Sequence, residues 1–562
     1  MVGNLTYLDI LMIVGYLCFS FFISLIFSKK ASQNITSYFV CNRSLPWWLL
    51  GTSMVATTFS ADTPLAVTGI IAKKGIAGNW YWWVWGIGFL FTAFFIAPLW
   101  RRSLVMTDAE IIELRYSGKS AAVLRGFRAI YFGLIANAIM MGWVMRAMTK
   151  ILKLSFSVST EHEFYIIWGL FFITVTYTFL SGLWGVVATD FIQFIFAMSG
   201  SILLAILAVH HLGGMSKIIH SLNSMYGKEH TEKILDIIPK PGKTLEPFSA
   251  FLIYFFIQWW SSGNTDGGGS ISQRFLAAKD ETHARLASIW FVVAHICLRS
   301  WPWIIAGLCA LVMYPNLSDP ELGYPKLMLG ILPAGLRGLM IASFFAAFMS
   351  TIDTGLNWGA SLLTNDIYKR FISPNRNSSH YMIVAKISVI IIALAGIIAT
   401  IYTTSIYNAW KYMSNLTVGI GAIYLLRWFW WRVNAWSEIS AMIGSLVITN
   451  VIYISKEFIK NPDITFYLNY PYSLLWTLII VLPISILVTL KTKPVEETRL
   501  INFVEKVKPP IHGWKEIYEK VKNPEKIGKT KIAGKDILWY VMSVILVYII
   551  LIFVGWFFIG HI

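Results

Sequence analysis

Leu45-Pro46-Trp47-Trp48-Leu49-Leu50 opens an apolar stretch and Leu65-Ala66-Val67-Thr68-Gly69-Ile70-Ile71 closes it, but its middle reads Ala56-Thr57-Thr58-Phe59-Ser60-Ala61-Asp62-Thr63-Pro64. Three threonines, a serine, an aspartate and a proline stand where a membrane span would be uniformly apolar. Pro64 lacks an N–H and its ring collides with the carbonyl four residues back, which predicts unwinding near Ser60 and Ala61, within Ser60–Pro64. Carbonyls freed at bilayer depth persist only where protein buries them or where they line a watery cavity. With the hydroxyls they form a set of hard oxygen ligands suited to an alkali cation or a polar solute. An interrupted helix at the midplane is how secondary transporters build such sites. A span merely kinked at proline, its hydroxyls bonded back to the preceding turn, fits the same residues. The rest of the chain decides between the two.

The 562 residues are 56% hydrophobic and 13% charged, with a mean hydropathy of +0.63. Apolar runs of roughly 20 residues recur, so the chain reads as an all-α polytopic membrane protein. The runs fall near 8–28, 46–72, 79–99, 123–150, 163–182, 185–210, 247–271, 284–313, 335–364, 379–402, 405–430, 436–455, 471–490 and 536–559, about fourteen spans. Lys411 and Asn415 interrupt the run at 405–430. A net charge of +17 would point to nucleic acid in a soluble protein. Here the basic residues sit mostly in loops, and no nucleic-acid partner is expected. Arg101, Arg102, Arg115, Lys119, Arg125 and Arg128 cluster after the third run, Arg274, Lys279 and Arg285 after the seventh, and Lys369, Arg370 and Arg376 after the ninth. All fall on one side if both termini are extracytoplasmic, which makes that side cytoplasmic in a plasma (cell inner) membrane. Lys228, Lys233, Lys240 and Lys243 go against the bias, in the 211–246 loop that this topology places outside. The first run lacks a basic leader and ends in Ser28-Lys29-Lys30, so it is expected to stay as a span. Of Cys18, Cys41, Cys297 and Cys309, three lie in apolar runs, and no disulfide framework is implied.

A second interrupted span is expected at 247–271. Apolar residues from Phe251 to Trp260 give way to Ser261-Ser262-Gly263-Asn264-Thr265-Asp266-Gly267-Gly268-Gly269-Ser270. Three consecutive glycines cannot hold a regular helix well, so a break is predicted near Ser261–Gly269. It lies five spans after the first, the spacing of a five-plus-five inverted repeat.

The chain resembles the sodium:solute symporter family. The resemblance rests on Ser60-Ala61, on Val187-Ala188-Thr189-Asp190-Phe191-Ile192-Gln193, on Gln273-Arg274-Phe275-Leu276-Ala277-Ala278-Lys279, and on Met349-Ser350-Thr351 through Asn365-Asp366-Ile367-Tyr368-Lys369. It runs from about residue 8 to 430 and implies the leucine-transporter fold with extra spans at both ends. On that pattern 1–44 holds the extra first span, 45–210 the first repeat, 211–246 an extracellular loop and 247–432 the second repeat. The remainder, 433–562, holds the late spans and a basic cytoplasmic linker, 491–535, expected to be partly ordered. The resemblance implies a main sodium site made by the carbonyls of Ala56, Phe59 and Ala347 and the hydroxyls of Ser350 and Thr351. Five neutral oxygens can replace a hydration shell without trapping the ion. It also implies a possible second cation site at Asp190, Ser350, Asp353 and Thr354, where Asp353 stands in place of an expected serine. The alternative for Asp353 is an ion pair with Arg299, Arg337 or a lysine. Aligned solute-site positions are Asp62, Thr63, Trp82, Trp85, Ser261, Asn264 and His295, few of which match the sugar-carrying branch. The aromatic run Asn79–Trp85 is expected mainly as an interface belt. Arg299, one turn from His295, is placed either to meet an anionic solute or to pair with Asp353 or Asp266.

The reading that follows is a sodium-coupled symporter, acting as a monomer, that imports a small polar organic solute by alternating access, with no organic cofactor and no enzymatic activity. A proton as driver is the alternative within that class. A membrane enzyme using Asp62, His295 and Asp266, or a transporter-like sensor, stands in other classes. No nucleophile elbow or paired-histidine spacing favours the enzyme.

Overall fold

The computed structural model describes residues 4–31, 35–263, 265–459, 461–522 and 532–559. After α1 (Tyr7–Ala31) comes a pair bent by 57°, α2 (Trp47–Thr58) and α3 (Asp62–Lys74). Three long helices follow, α4 (Ile76–Ser103), α5 (Gly118–Phe156) and α6 (Glu163–His211). A second interrupted column is made by α7 (Phe248–Ser261) and α8 (Ser270–Ala277). Then run α9 (Glu281–Met313), α10 (Leu336–Ile372) and α11 (Ser378–Tyr402). A third interrupted column is α12 (Ile406–Thr417) with α13 (Ile420–Phe429). The chain closes with α14 (Ala435–Phe458), α15 (Tyr472–Lys491), α16 (Glu497–Val507) and α17 (Gly534–Ile559). An isolated bridge pairs Leu45 with Ala278.

Among the described residues nine helices are long and apolar enough to cross a membrane, ten with the bent pair, against the fourteen runs expected. The other four runs are helical as well. α1 is itself a helix of 25 residues, long enough for a crossing, and the runs at 247–271 and 405–430 are cut by their breaks. The runs at 163–182 and 185–210 are not separated at all, because α6 is one helix of 49 residues. Gly182 and Gly185 each weaken a helix by about 1 kcal/mol, but without a proline or a polar cap between them nothing ends it.

The axis of the molecule is α10, whose membrane window is 94% buried, whereas that of α17 is 17% buried. Around α10 pack α1, α2, α5, α6 and α11. Its small residues allow the approach: a side chain at Gly359 would meet the Gly133 carbonyl at 2.6 Å. The first half of α9 lies against α2 and the second half against α3, so one helix braces both sides of the first break.

The Trp80–Trp83 run is not an interface belt. All four rings are buried, because α4 is enclosed by α7, α9 and α17 rather than by lipid. Trp80 stacks on Tyr548 and meets Phe251 edge-on, and the Tyr548 hydroxyl donates to the Trp83 carbonyl (2.6 Å). The basic linker packs against the bundle: α16 buries Leu500, Phe503, Val504 and Val507, and the Trp514 indole donates to the Trp428 carbonyl (2.9 Å). Several arginines read as loop charges are also interior. Arg115, Arg128 and Arg274 are each 2% exposed or less, held by carboxylates, carbonyls and rings of neighbouring helices.

Candidate functional site

The first break follows the local chemistry of its residues. α2 stops at Thr58, and the Phe59 N–H folds back on the carbonyls of Val55 (2.9 Å) and Ala56 (3.0 Å). α3 restarts at Asp62, which puts Pro64 in its first turn, where the missing N–H has no helical partner to lose. The second break opens at Ser262 and ends at Gly269, whose φ of +73° suits glycine alone. A third break, not anticipated, lies at Val418–Gly419. The Gly419 N–H donates to the Ser261 carbonyl (2.8 Å), so the second and third breaks hold each other. An added Cβ at Gly421 would collide with the Ser262 carbonyl.

Between α2 and α10 runs a buried seam of oxygens. The Thr351 hydroxyl lies 2.8 Å from the Thr57 carbonyl and 3.2 Å from the Ala347 carbonyl. The Ser350 hydroxyl donates to Asp190 Oδ1 (2.5 Å). Of the five residues expected around sodium, Ala347 and Thr351 meet directly and Ser350 lies beside them. The α2 carbonyl in contact is that of Thr57, while the Ala56 carbonyl accepts the Phe59 N–H. No contact brings the Phe59 carbonyl to Thr351; the Phe59 ring packs on Trp303 at 5.0 Å. This donor set of neutral carbonyls and hydroxyls fits a sodium ion as cargo.

The expected second cation site is only partly assembled. Asp190 accepts from Ser350 and from Ser53, and the Arg274 guanidinium lies 3.7 Å from its Oδ2. The same guanidinium donates to Thr354 Oγ1 (2.8 Å) and Thr57 Oγ1 (2.9 Å). Asp353 does not join them, which corrects the expected set: its Oδ1 accepts from Thr178 on α6, and its Oδ2 is buried without a hydrogen-bond partner. Neither expected ion pair forms. Arg299 donates to the Val55 carbonyl and Thr58 Oγ1 (3.2 Å each), while Arg337 sits near Asp9 (3.9 Å). Asp353 faces α6, and those arginines approach α2 and α1.

Around the first break lie most of the residues expected to hold the solute, nearly all of them buried. Asp62 Oδ2 accepts from the Trp410 indole (2.9 Å), and Thr63 lies 3.4 Å from Asp62 Oδ1. His295 Nε2 is 3.5 Å from Arg299 Nη2, and the His295 ring is 5.6 Å from that of Trp82. The Trp82 indole itself donates to Asn79 (2.9 Å). Ser261 is buried at the second break, where its carbonyl accepts the Gly419 N–H. Trp85 is half-buried and makes no hydrogen bond or ring contact with these groups. Asn264 lies outside the described residues. Asp266, offered as a partner of Asp62 and His295, is instead bound by Arg427 and by the Trp428 indole (3.1 Å), so no acid–base set forms. Ser53, Arg274 and Trp410 were missed as site residues. Arg274 carried a signal, a cation within a quoted motif just past a helix break; Trp410 carried only its place beside Lys411.

A profile of the sodium:solute symporter family matches residues 38–447. The sodium/glucose cotransporter of Vibrio parahaemolyticus is 25% identical over 473 residues, covering 79% of this chain and 84% of its own length. The human sodium/myo-inositol cotransporter 2 is 24% identical over 506 residues, covering 81% of this chain and 72% of its own. A substrate-bound, outward-open Na+-coupled sialic acid symporter matches with a TM-score of 0.68 at 20% identity, over 87% of this chain and 99% of that one. At that identity the likeness speaks for the fold.

Proposed function

The chain belongs to the sodium:solute symporter family, and from that premise we propose that it couples sodium entry along the α2–α10 seam to import of a small polar organic solute by alternating access. As a family member it is a secondary transporter and not an enzyme. The observation that carries the reading is the Thr351 hydroxyl, which lies within hydrogen-bond reach of carbonyls on both sides of the seam. An ion taking those oxygens would tie the broken span to α10. We place the sodium among the carbonyls of Ala56, Phe59 and Ala347 and the hydroxyls of Ser350 and Thr351, with the Thr57 carbonyl freed as Thr351 turns to the ion.

The solute would sit between Asp62 and Arg299, oriented by the Trp410 indole, Thr63 and His295 and flanked by the Trp82 ring. A carboxylate and a guanidinium placed on one site suit a solute with charged or strongly hydrogen-bonding groups better than a neutral apolar one. The two five-helix repeats and both termini outside, which need α6 to divide into two crossings near residues 182–185, belong to the same proposal, as do the plasma-membrane location and action as a monomer. The basic face is then cytoplasmic.

Uptake into sealed proteoliposomes, with and without an inward sodium gradient, tests the coupling. A solute panel read by sodium-dependent thermal shift identifies the cargo. Uptake driven equally well without sodium would overturn the proposal. One observation favours a proton as an additional driver: Asp353 is buried with no countercharge among the described residues. A carboxyl so placed is costly unless a proton or a cation neutralises it.

A further inference from the structure

Five oxygen-bearing side chains from three helices converge on one small buried volume. Ser53 and Thr57 come from α2, Asp190 from α6, and Ser350 and Thr354 from α10. Thr57 Oγ1 and Thr354 Oγ1 are 3.2 Å apart, and all five residues except the half-buried Thr57 are 2% exposed or less. One carboxylate and four hydroxyls make the donor set of a monovalent cation site. It already contains a cation. The Arg274 side chain enters from α8, and its Nη2 lies 2.8 Å from Thr354, 2.9 Å from Thr57, 3.2 Å from Ser53 and 3.7 Å from Asp190 Oδ2. Its Nε lies 3.3 Å from Ser53, and Nη1 donates to the Ser270 carbonyl (3.2 Å).

We propose that Arg274 is a tethered cation filling this second site, so that the protein carries a single sodium per cycle and the guanidinium latches α8 to α2, α6 and α10. The charge balance supports this. Asp190 is the one carboxylate in the cluster and Arg274 the one cation, so the pair is neutral. A sodium ion added beside the guanidinium would set two positive charges against one negative charge in a dry interior, where repulsion is weakly screened. Geometry supports it as well. The planar guanidinium reaches the Thr57 and Thr354 hydroxyls from one nitrogen while a second returns to its own helix, an arrangement a spherical ion could replace only if α8 withdrew. The latch also joins the first two interrupted columns, since Arg274 follows the second break and Thr57 precedes the first. Its release is therefore tied to movement of one column against the other.

This inference rests on the symport reading, and sodium binding to the purified protein separates the two. Equilibrium binding of radioactive sodium should give one ion per wild-type protein. Arg274→Ala should bind two, with a Hill coefficient above one, and millimolar guanidinium should return it to one by refilling the vacated cage. Arg274→Lys, which keeps a tethered charge, should stay at one. Two ions in the wild type, or one in both the wild type and a monodisperse Arg274→Ala, overturns the inference and leaves the symport reading intact. No sodium binding in the wild type overturns both. Should Arg274→Ala fail to remain monodisperse on size exclusion, the wild-type count decides alone: one supports the tethered cation and two overturns it.

Discussion

Thr351 and Asp353 are two residues apart on α10 and face different problems. The Thr351 hydroxyl serves carbonyls on two elements, and valine has its shape without that oxygen. Thr351→Val should raise the sodium concentration for half-maximal uptake about tenfold, the equivalent of one lost hydrogen bond at roughly 1.4 kcal/mol, with little loss of protein. Sodium-dependent uptake measures it. Adding Ser350→Ala should abolish the dependence, and an unchanged profile in the double variant would rule out the seam as the sodium path. Asp353 keeps one oxygen on Thr178 and leaves the other without a partner. Asp353→Ser can keep the Thr178 contact while removing the charge. Uptake should then lose its pH dependence and keep its sodium stoichiometry. A pH profile that matches the wild type would mean that Asp353 exchanges no proton during transport.

At the scale of elements the three helix breaks act together. Gly419 bonds its N–H to Ser261 at φ +81°, and Gly421 lies so close to the Ser262 carbonyl that no side chain fits. The clash would be with backbone, which cannot swing away as a side chain can. Gly421→Ala should therefore destabilise the fold by about 3 kcal/mol or more, the upper end for overpacking. Thermal unfolding in detergent reads it. Gly169→Ala is the control: nothing lies within 4 Å of the added methyl on α6, so Tm should hold or rise slightly.

Across the whole molecule, buried charges tie the basic face together. Asp266, from the second break, is held by Arg427 and by the Trp428 indole, and Arg427 also meets Glu438 at 3.3 Å. Arg128 pairs with Asp108 at 2.8 Å, and Asp108 in turn accepts the Gly269 N–H (3.2 Å) and the Trp358 indole (3.1 Å). The network thus joins the second break to α5, α10, α13 and α14. Removing one member of a buried pair leaves the other charged and desolvated, which costs about 3–5 kcal/mol. Asp266→Ala should lower Tm by that measure, and the Asp266→Leu, Arg427→Met double variant should recover part of it. A Tm unchanged in Asp266→Ala would show that water already reaches Arg427.

What could be read from residue order alone was local. Pro64 behind a run of hydroxyls, and three glycines behind Ser261, each prevent a helix from continuing whatever surrounds them, and both breaks are where that chemistry puts them. Apolar runs likewise mark helices, since lipid leaves the backbone no other partner. Where no strong terminator stands, as at 182–185, a boundary drawn from hydropathy did not survive. The partners of buried charges were settled by tertiary packing. Asp190 and Asp353 lie in apolar runs, and each announces a need for a hydrogen-bond donor or a countercharge. Which one it meets depends on which helix faces are brought together: Arg274, 84 residues from Asp190, reaches it, while Arg299 and Arg337 lie much nearer Asp353 in sequence and do not. Trp410 over Asp62 and Gly419 on Ser261 are contacts of the same kind. Backbone chemistry acts over a few neighbours and is written in the order of residues, whereas charge pairing across helices depends on the packing of the whole bundle.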